Sequence, residues 1–147
     1  MPRKSSIKTL RKKAWDACSK YVRQLYADHN GYAVCYTCDK VDQWKKLHAG
    51  HGIDGRHNAV LFDLDIIRPQ CFHCNSKMAG CLGGNHKVFT YKMIKQHGLE
   101  WWENKLFNAR KTVKLNRNDY ENLEKDFILK TQQISVNRRA KKWIKKP

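Results

Sequence analysis

The stretch Cys35-Tyr36-Thr37-Cys38 is answered after residues 39–70 by Cys71-Phe72-His73-Cys74-Asn75, and Ala49-Gly50-His51 stands between the two pairs. Four thiolates in two CxxC knuckles match the tetrahedral preference of Zn²⁺, and such a site pins the ends of a short hairpin and the start of a helix. Everything between the knuckles then becomes a held platform. A neutral imidazole on that platform, close to an oxygen-donor side chain able to bind a second, harder cation, is the equipment for phosphodiester hydrolysis.

The surrounding composition narrows the partner. The chain has 147 residues, 41% of them apolar, which suits a single domain with a modest core strengthened by a metal. Thirty Lys and Arg against 13 Asp and Glu leave a formal net charge of +17. That excess exceeds what solubility requires, and a polyanion is the partner that offsets it, with nucleic acid first in line. No apolar run reaches bilayer length and no lipidation signal is present, so a membrane partner is not expected. The basic N-terminus is not followed by an apolar segment, so the expected location is the cytosol, where CxxC pairs serve metals rather than structural disulfides.

Working outward from the knuckles, Ile7, Leu10, Ala14, Cys18, Tyr21, Val22 and Leu25 recur at helical steps and predict an amphipathic helix over residues 6–28. Its other side carries Lys8, Arg11, Lys12 and Arg23, placed to lie along a phosphate backbone. Residues 32–53 read as short strands around the first knuckle, with residues 44–48 extended, and the core module is expected to run over residues 32–82. A helix starting near Phe72 places Asn75 in its first turn, and Gly80, Gly83 and Gly84 are expected to end it. A helical region over residues 88–134 follows, in segments 90–96, 100–111 and 119–134. The tail 137–147, with Arg138, Arg139, Lys141 and Lys142, reads as a flexible basic arm that binds phosphates without reading sequence. Cys18 falls on the apolar side of the first helix and reads as a small core residue.

Cutting a phosphodiester needs a base for water, a cation at the phosphoryl oxygens and positive groups for the charge that develops. His51 at the hairpin bend is the expected base, because an ordinary imidazole titrates near working pH. Asn75 offers a carbonyl oxygen suited to Mg²⁺ or Mn²⁺, with helix capping as its plainer role. One side chain is too few to hold such an ion. His48 is the first choice for a second ligand, with Asp63 and Asp65 as others if the loop folds back. Arg56 and His57 are expected to steady the scissile phosphate. The remaining histidines, His29, His73, His86 and His97, read as surface or hydrogen-bonded residues.

These residues carry a resemblance. The set Cys35-x-x-Cys38, Ala49-Gly50-His51, Arg56-His57, Phe62-Asp63, Gln70-Cys71-x-x-Cys74-Asn75 and Gly80 resembles the phage NinG (Rap) recombination proteins, within the broader HNH or ββα-metal endonucleases. The likeness extends from the first helix, with Trp15 and Tyr21-Val22-Arg23, to about Leu106, and the same core is similar to phage endonuclease VII. The resemblance implies an α+β fold with a zinc-stapled ββα-metal core flanked by N-terminal and C-terminal helices. It also implies a Mg²⁺-dependent, structure-selective endonuclease for Holliday junctions, D-loops or other branched DNA, made in the host cytoplasm by a phage or prophage. By matched position, His51 is the general base, Asn75 a ligand of the catalytic ion, and Cys35, Cys38, Cys71 and Cys74 the zinc site. Two departures stand out. Many HNH enzymes carry an acidic ligand directly before the base, where this chain has Gly50, and the middle asparagine of that pattern falls on Ile66.

Two competing readings predict different behaviour. A sequence-specific HNH nuclease of restriction, homing or packaging type would cut a defined linear duplex. A zinc module that only binds DNA would have no use for His51 and Asn75. Opposed nicks in a junction require two active sites, so a homodimer is expected of the leading reading.

Overall fold

The computed structural model describes residues 5–144, with side chains described from residue 5 to residue 139. The first helix, α1 (Ile7–Leu25), opens on Ser6, whose Oγ accepts a hydrogen bond from the Thr9 N–H. That cap satisfies one of the donors every helix start leaves open. Leu10, Ala14, Cys18 and Val22 form its buried stripe, as the periodicity predicts.

Two small antiparallel sheets follow. Strands β1 (Tyr32–Val34) and β2 (Val41–Gln43) pair with Tyr32 opposite Gln43 and Val34 opposite Val41. The first knuckle is the loop between them, closed by hydrogen bonds from Cys35 N–H to the Lys40 carbonyl and from Asp39 N–H to the Cys35 carbonyl. Asp39 takes a left-handed φ of 62°, which Asp tolerates better than most residues. Residues 44–46 form a 3₁₀ turn, where the sequence predicts an extended segment, and β3 (His48–His51) begins only after it. The turn lets the Trp44 ring lie against the Arg23 guanidinium, 5.4 Å from ring centre.

The chain then passes through α2 (Asn58–Leu61) and a 3₁₀ turn at residues 64–66 before returning as β4 (Ile67–Gln70). β3 and β4 pair antiparallel, His48 opposite Gln70 and His51 opposite Ile67. Cys71 caps the single turn α3 (Phe72–Asn75), so the second knuckle sits where β4 becomes helix. Tyr36 N–H donates to the Pro69 carbonyl and joins the two knuckles. The helix is shorter than predicted and stops at Asn75, before the glycines. Gly83 and Gly84 instead return over the knuckle, their N–H groups bonding to the carbonyls of Ser76 and Cys74.

Helices α4 (His86–His97) and α5 (Leu99–Ala109) meet at Gly98, whose φ of 92° suits glycine and turns the chain sharply. Phe89 and Met93 of α4 and Trp102 and Ala109 of α5 bury with Val60 and Ile66. That core holds up the segment between β3 and β4. The last helix, α6 (Arg117–Ile144), is the main correction to the sequence reading. It starts earlier than predicted and continues through residues 137–144, where the sequence predicts a flexible arm over 137–147; residues 145–147 lie outside the described residues. It runs parallel to α1: Leu10 and Ala14 pack with Tyr120, and Cys18 and Val22 with Phe127. Arg117 at its start donates to the Ser5 carbonyl, and Arg138, near the end of α1, donates to those of Gln24 and Ala27. Those tertiary bonds carry the helix past the point where its apolar periodicity fades. None of the described helices is long and apolar enough to cross a membrane.

Candidate metal centres and groove

The four cysteine sulfurs lie within 4.8 Å of one another. Zn–S bonds of ~2.3 Å in a tetrahedron put sulfurs about 3.8 Å apart, and Cys38 and Cys71 are separated by 3.7 Å. Burial opposes a charge on Cys35, yet backbone N–H groups of Cys71, Cys38 and Thr37 point at its sulfur and bring its pKa down to about 6. Burial pushes Cys38 up to about 12. Four thiolates so close together need a cation to ionise together, and the donor set fits Zn²⁺. Outside the four, Asn85 Nδ2 donates to Cys74 Sγ at 3.7 Å and Thr37 Oγ1 lies 3.6 Å from Cys35 Sγ. Such bonds orient thiolate ligands.

Because strand side chains alternate, β3 shows different residues on its two sides. His48 and Gly50 share the side that meets α3, and Asn75 Nδ2 lies 3.1 Å from His48 Nδ1. A Cβ on residue 50 would fall 1.9 Å from Gln70 Oε1 and 3.0 Å from Asn75 Oδ1. That close approach explains why residue 50 is glycine: the Gln70 side chain occupies the place of a Cβ. Gln70 is fully buried; its Nε2 donates to Thr37 Oγ1 and the Gly84 carbonyl. Its Oε1 has no partner among the described residues. The orphaned Gln70 oxygen and Asn75 Oδ1 therefore both face Gly50, with the His48 imidazole against the other end of the Asn75 amide. This mixed oxygen and nitrogen set fits a hard divalent ion that retains water ligands.

His51 lies on the other side of β3, against Leu61 and Trp15; it is not among the residues that line a groove with His48 and Asn75, and Trp15 is the group the two share. Its Nε2 is 3.2 Å from the Leu61 carbonyl; a carbonyl only accepts, so Nε2 carries the proton and Nδ1 keeps its lone pair. Its ring stacks on Trp15 of α1, centroids 4.8 Å apart and planes at 27°. The Arg56 guanidinium lies 5.5 Å from the same Trp15 ring. Burial lowers the His51 pKa, the Leu61 carbonyl acts against it, and the Arg56 charge lowers it further. The imidazole is thus neutral at pH 7, as a base must be. Trp15 and Arg56 also line a groove of about 420 Å³ with His48, Ala49 and Asn75. Arg23, Lys45 and Lys46 line it as well, so the groove is strongly positive.

Several expected site residues lie elsewhere or are otherwise engaged. His57 Nε2 donates to the carbonyl of Ala109, the last residue of α5, and fastens that helix end instead of joining the groove. Asp63 and Asp65 are both paired with Lys105, at 3.1 and 2.5 Å, and neither lines the groove with His48 and Asn75. Arg138 caps α1 and is not a free phosphate-binding group. Arg23 reaches the groove but also donates to the Trp44 and Leu47 carbonyls. Lys12 is paired with Asp16 at 2.6 Å. Lys8 and Arg139 are exposed and Arg11 is half-buried. Lys141 and Lys142 lie outside the described side chains. Gln70 and Trp15 are the residues that the reading for chemistry missed. Trp15 had one usable signal, since it follows Lys8, Arg11 and Lys12 on the same helical face.

The described residues define an α+β protein with a four-cysteine site able to hold zinc beside an antiparallel hairpin. The family model of the bacteriophage Lambda NinG protein matches residues 2–137, and the chain belongs to that family. No curated protein and no solved structure matches it.

Proposed function

We propose that the chain is a metal-dependent endonuclease of the HNH type that hydrolyses phosphodiester bonds in branched recombination intermediates. The observation that carries this reading is the order β3, β4, α3 with His48 and Asn75 3.1 Å apart across it, stapled by four clustered cysteines. Family membership adds the phage setting, where recombination intermediates are the branched DNA to be processed.

His48 and Asn75 would hold the divalent ion, with Gln70 Oε1 as the third acceptor facing the same spot. When bound, that ion supplies positive charge for the phosphoryl oxygens and the departing oxygen. The chain's own groups do the rest. With the scissile phosphate seated over Trp15 and Arg56, the groups that border both His51 and the groove, His51 Nδ1 would take a proton from water, the water oxygen would bond to phosphorus, and the bond to the leaving sugar oxygen would break as that oxygen gains a proton from solvent. Leu61 fixes the imidazole tautomer and Trp15 fixes its plane. Arg56 offers a planar fork to the phosphate. A lone catalytic site makes one nick, so paired nicks in a junction call for two copies of the chain.

Labelled four-way junctions and linear duplexes of matched sequence, incubated with Mg²⁺, test the reading. Cleavage of the junction and not the duplex is expected. Cutting only at one linear sequence would point to a restriction, homing or packaging nuclease. Binding of both DNAs with neither cut, across Mg²⁺ and Mn²⁺, would leave a zinc module that binds DNA.

A further inference from the structure

The groove at His48 and Asn75 does not end there. It shares Trp15 and Arg56 with a cavity of about 450 Å³ against the first half of α1. That cavity shares Arg11 with a third, of about 780 Å³, at the C-terminal end of α5. Lys8, Arg11, Trp15 and Ser19 recur every three or four residues, so they share one face of α1 and the three cavities follow it. Arg110 and Lys111, just past α5, close the far end. Asp54 is the one carboxylate among the lining residues, and Lys77 is paired with it at 3.3 Å.

We propose that this trough is the track for one strand of the DNA substrate, running from the His48–Asn75 site along α1 to Arg110 and Lys111. The proposal rests on the nuclease reading and adds where the strand lies. From Arg11 to Arg23 is twelve residues of helix, about 18 Å at ~1.5 Å per residue. That covers roughly five nucleotides at ~3.4 Å per step of one strand. A uniformly negative polymer is the ligand that a continuous, nearly carboxylate-free channel selects. Arg110 and Lys111 are exposed and make no ion pair among the described residues, so their charge is available at the far end.

The test measures binding of a labelled four-way junction across a salt series, using full-length protein carrying His51→Ala so that the DNA stays intact. Adding Arg110→Glu with Lys111→Glu should lower the log–log salt slope by about 2, at ~0.9 per lost duplex phosphate contact. The matched reversal Lys95→Glu with Lys125→Glu, on exposed lysines outside the trough, should leave the slope unchanged. Neutral Arg110→Gln with Lys111→Gln repeats the first comparison should the reversed pair fail to fold. Equal slope losses for the trough and control pairs would overturn the track and leave the nuclease reading standing. Failure of the His51→Ala parent to bind DNA at low salt would remove both.

Discussion

His51 and His57 are six residues apart and identical in chemistry, yet the structure uses them differently. His57 is spent on a helix end, whereas His51 keeps Nδ1 unengaged while Leu61 holds Nε2. The groups around His51 are the Leu61 carbonyl, Arg56, Asp54 and Asp63; burial and Arg56 prevail and depress its pKa below the ordinary value. In the proposed mechanism the neutral form is the active one, so cleavage should persist below the usual histidine range near ~6.5 and fall only as pH drops through the lowered value. A pH–rate profile at saturating DNA checks this; an acid limb above the ordinary value would contradict it. Gly50 gives a second residue-scale prediction. Gly50→Ala puts a methyl group 1.9 Å from Gln70 Oε1, and overpacking of this kind costs about 1–3 kcal/mol. Denaturant melts should show that loss. His51 was legible in the sequence because a bend between two knuckles singles it out. Gln70 was not, because a buried glutamine announces nothing until its oxygen is seen without a partner.

At the scale of elements, the knuckles organise the short pieces. β1, β2, β3, β4 and α3 are each four residues or fewer, too short to persist without tertiary support. Replacing Cys71 with Ser, or stripping zinc with a chelator, should therefore unfold the module, since binding energy at such sites is folding energy. Circular dichroism melts with and without added Zn²⁺ check it, and an unchanged curve would exclude a structural zinc. Helix α6 supplies another expectation. Arg138→Ala removes charged bonds to the last carbonyls of α1 and should cost about 1–2 kcal/mol, with the melt lowered and DNA binding little affected. A flexible phosphate-binding arm would give the reverse. The sequence identified α1 by its apolar stripe but not the extent of α6, because Arg138, which reads as a solvated charge, bonds to carbonyls at the end of another helix. The 3₁₀ turn at 44–46 escaped for a similar reason: Trp44 is placed by Arg23, a contact across 21 positions.

For the whole molecule, the +17 charge suggests a polyanionic partner but names no surface for it; only the fold sets Arg11, Arg56, Arg110 and Lys111 around the cavities proposed as the DNA track. The parallel pair α1 and α6 forms its frame, and the zinc-ready knuckles hold the hairpin against it. In the proposed function, this frame presents His51 as the base for metal-assisted DNA cleavage. The most direct test of that role is the single-turnover rate of four-way-junction cleavage in Mg²⁺, wild type against His51→Ala, with DNA affinity measured alongside. His51→Ala should lose roughly 10²- to 10⁴-fold in rate with affinity nearly unchanged. A variant that cuts as fast as its parent would contradict the assignment of the base.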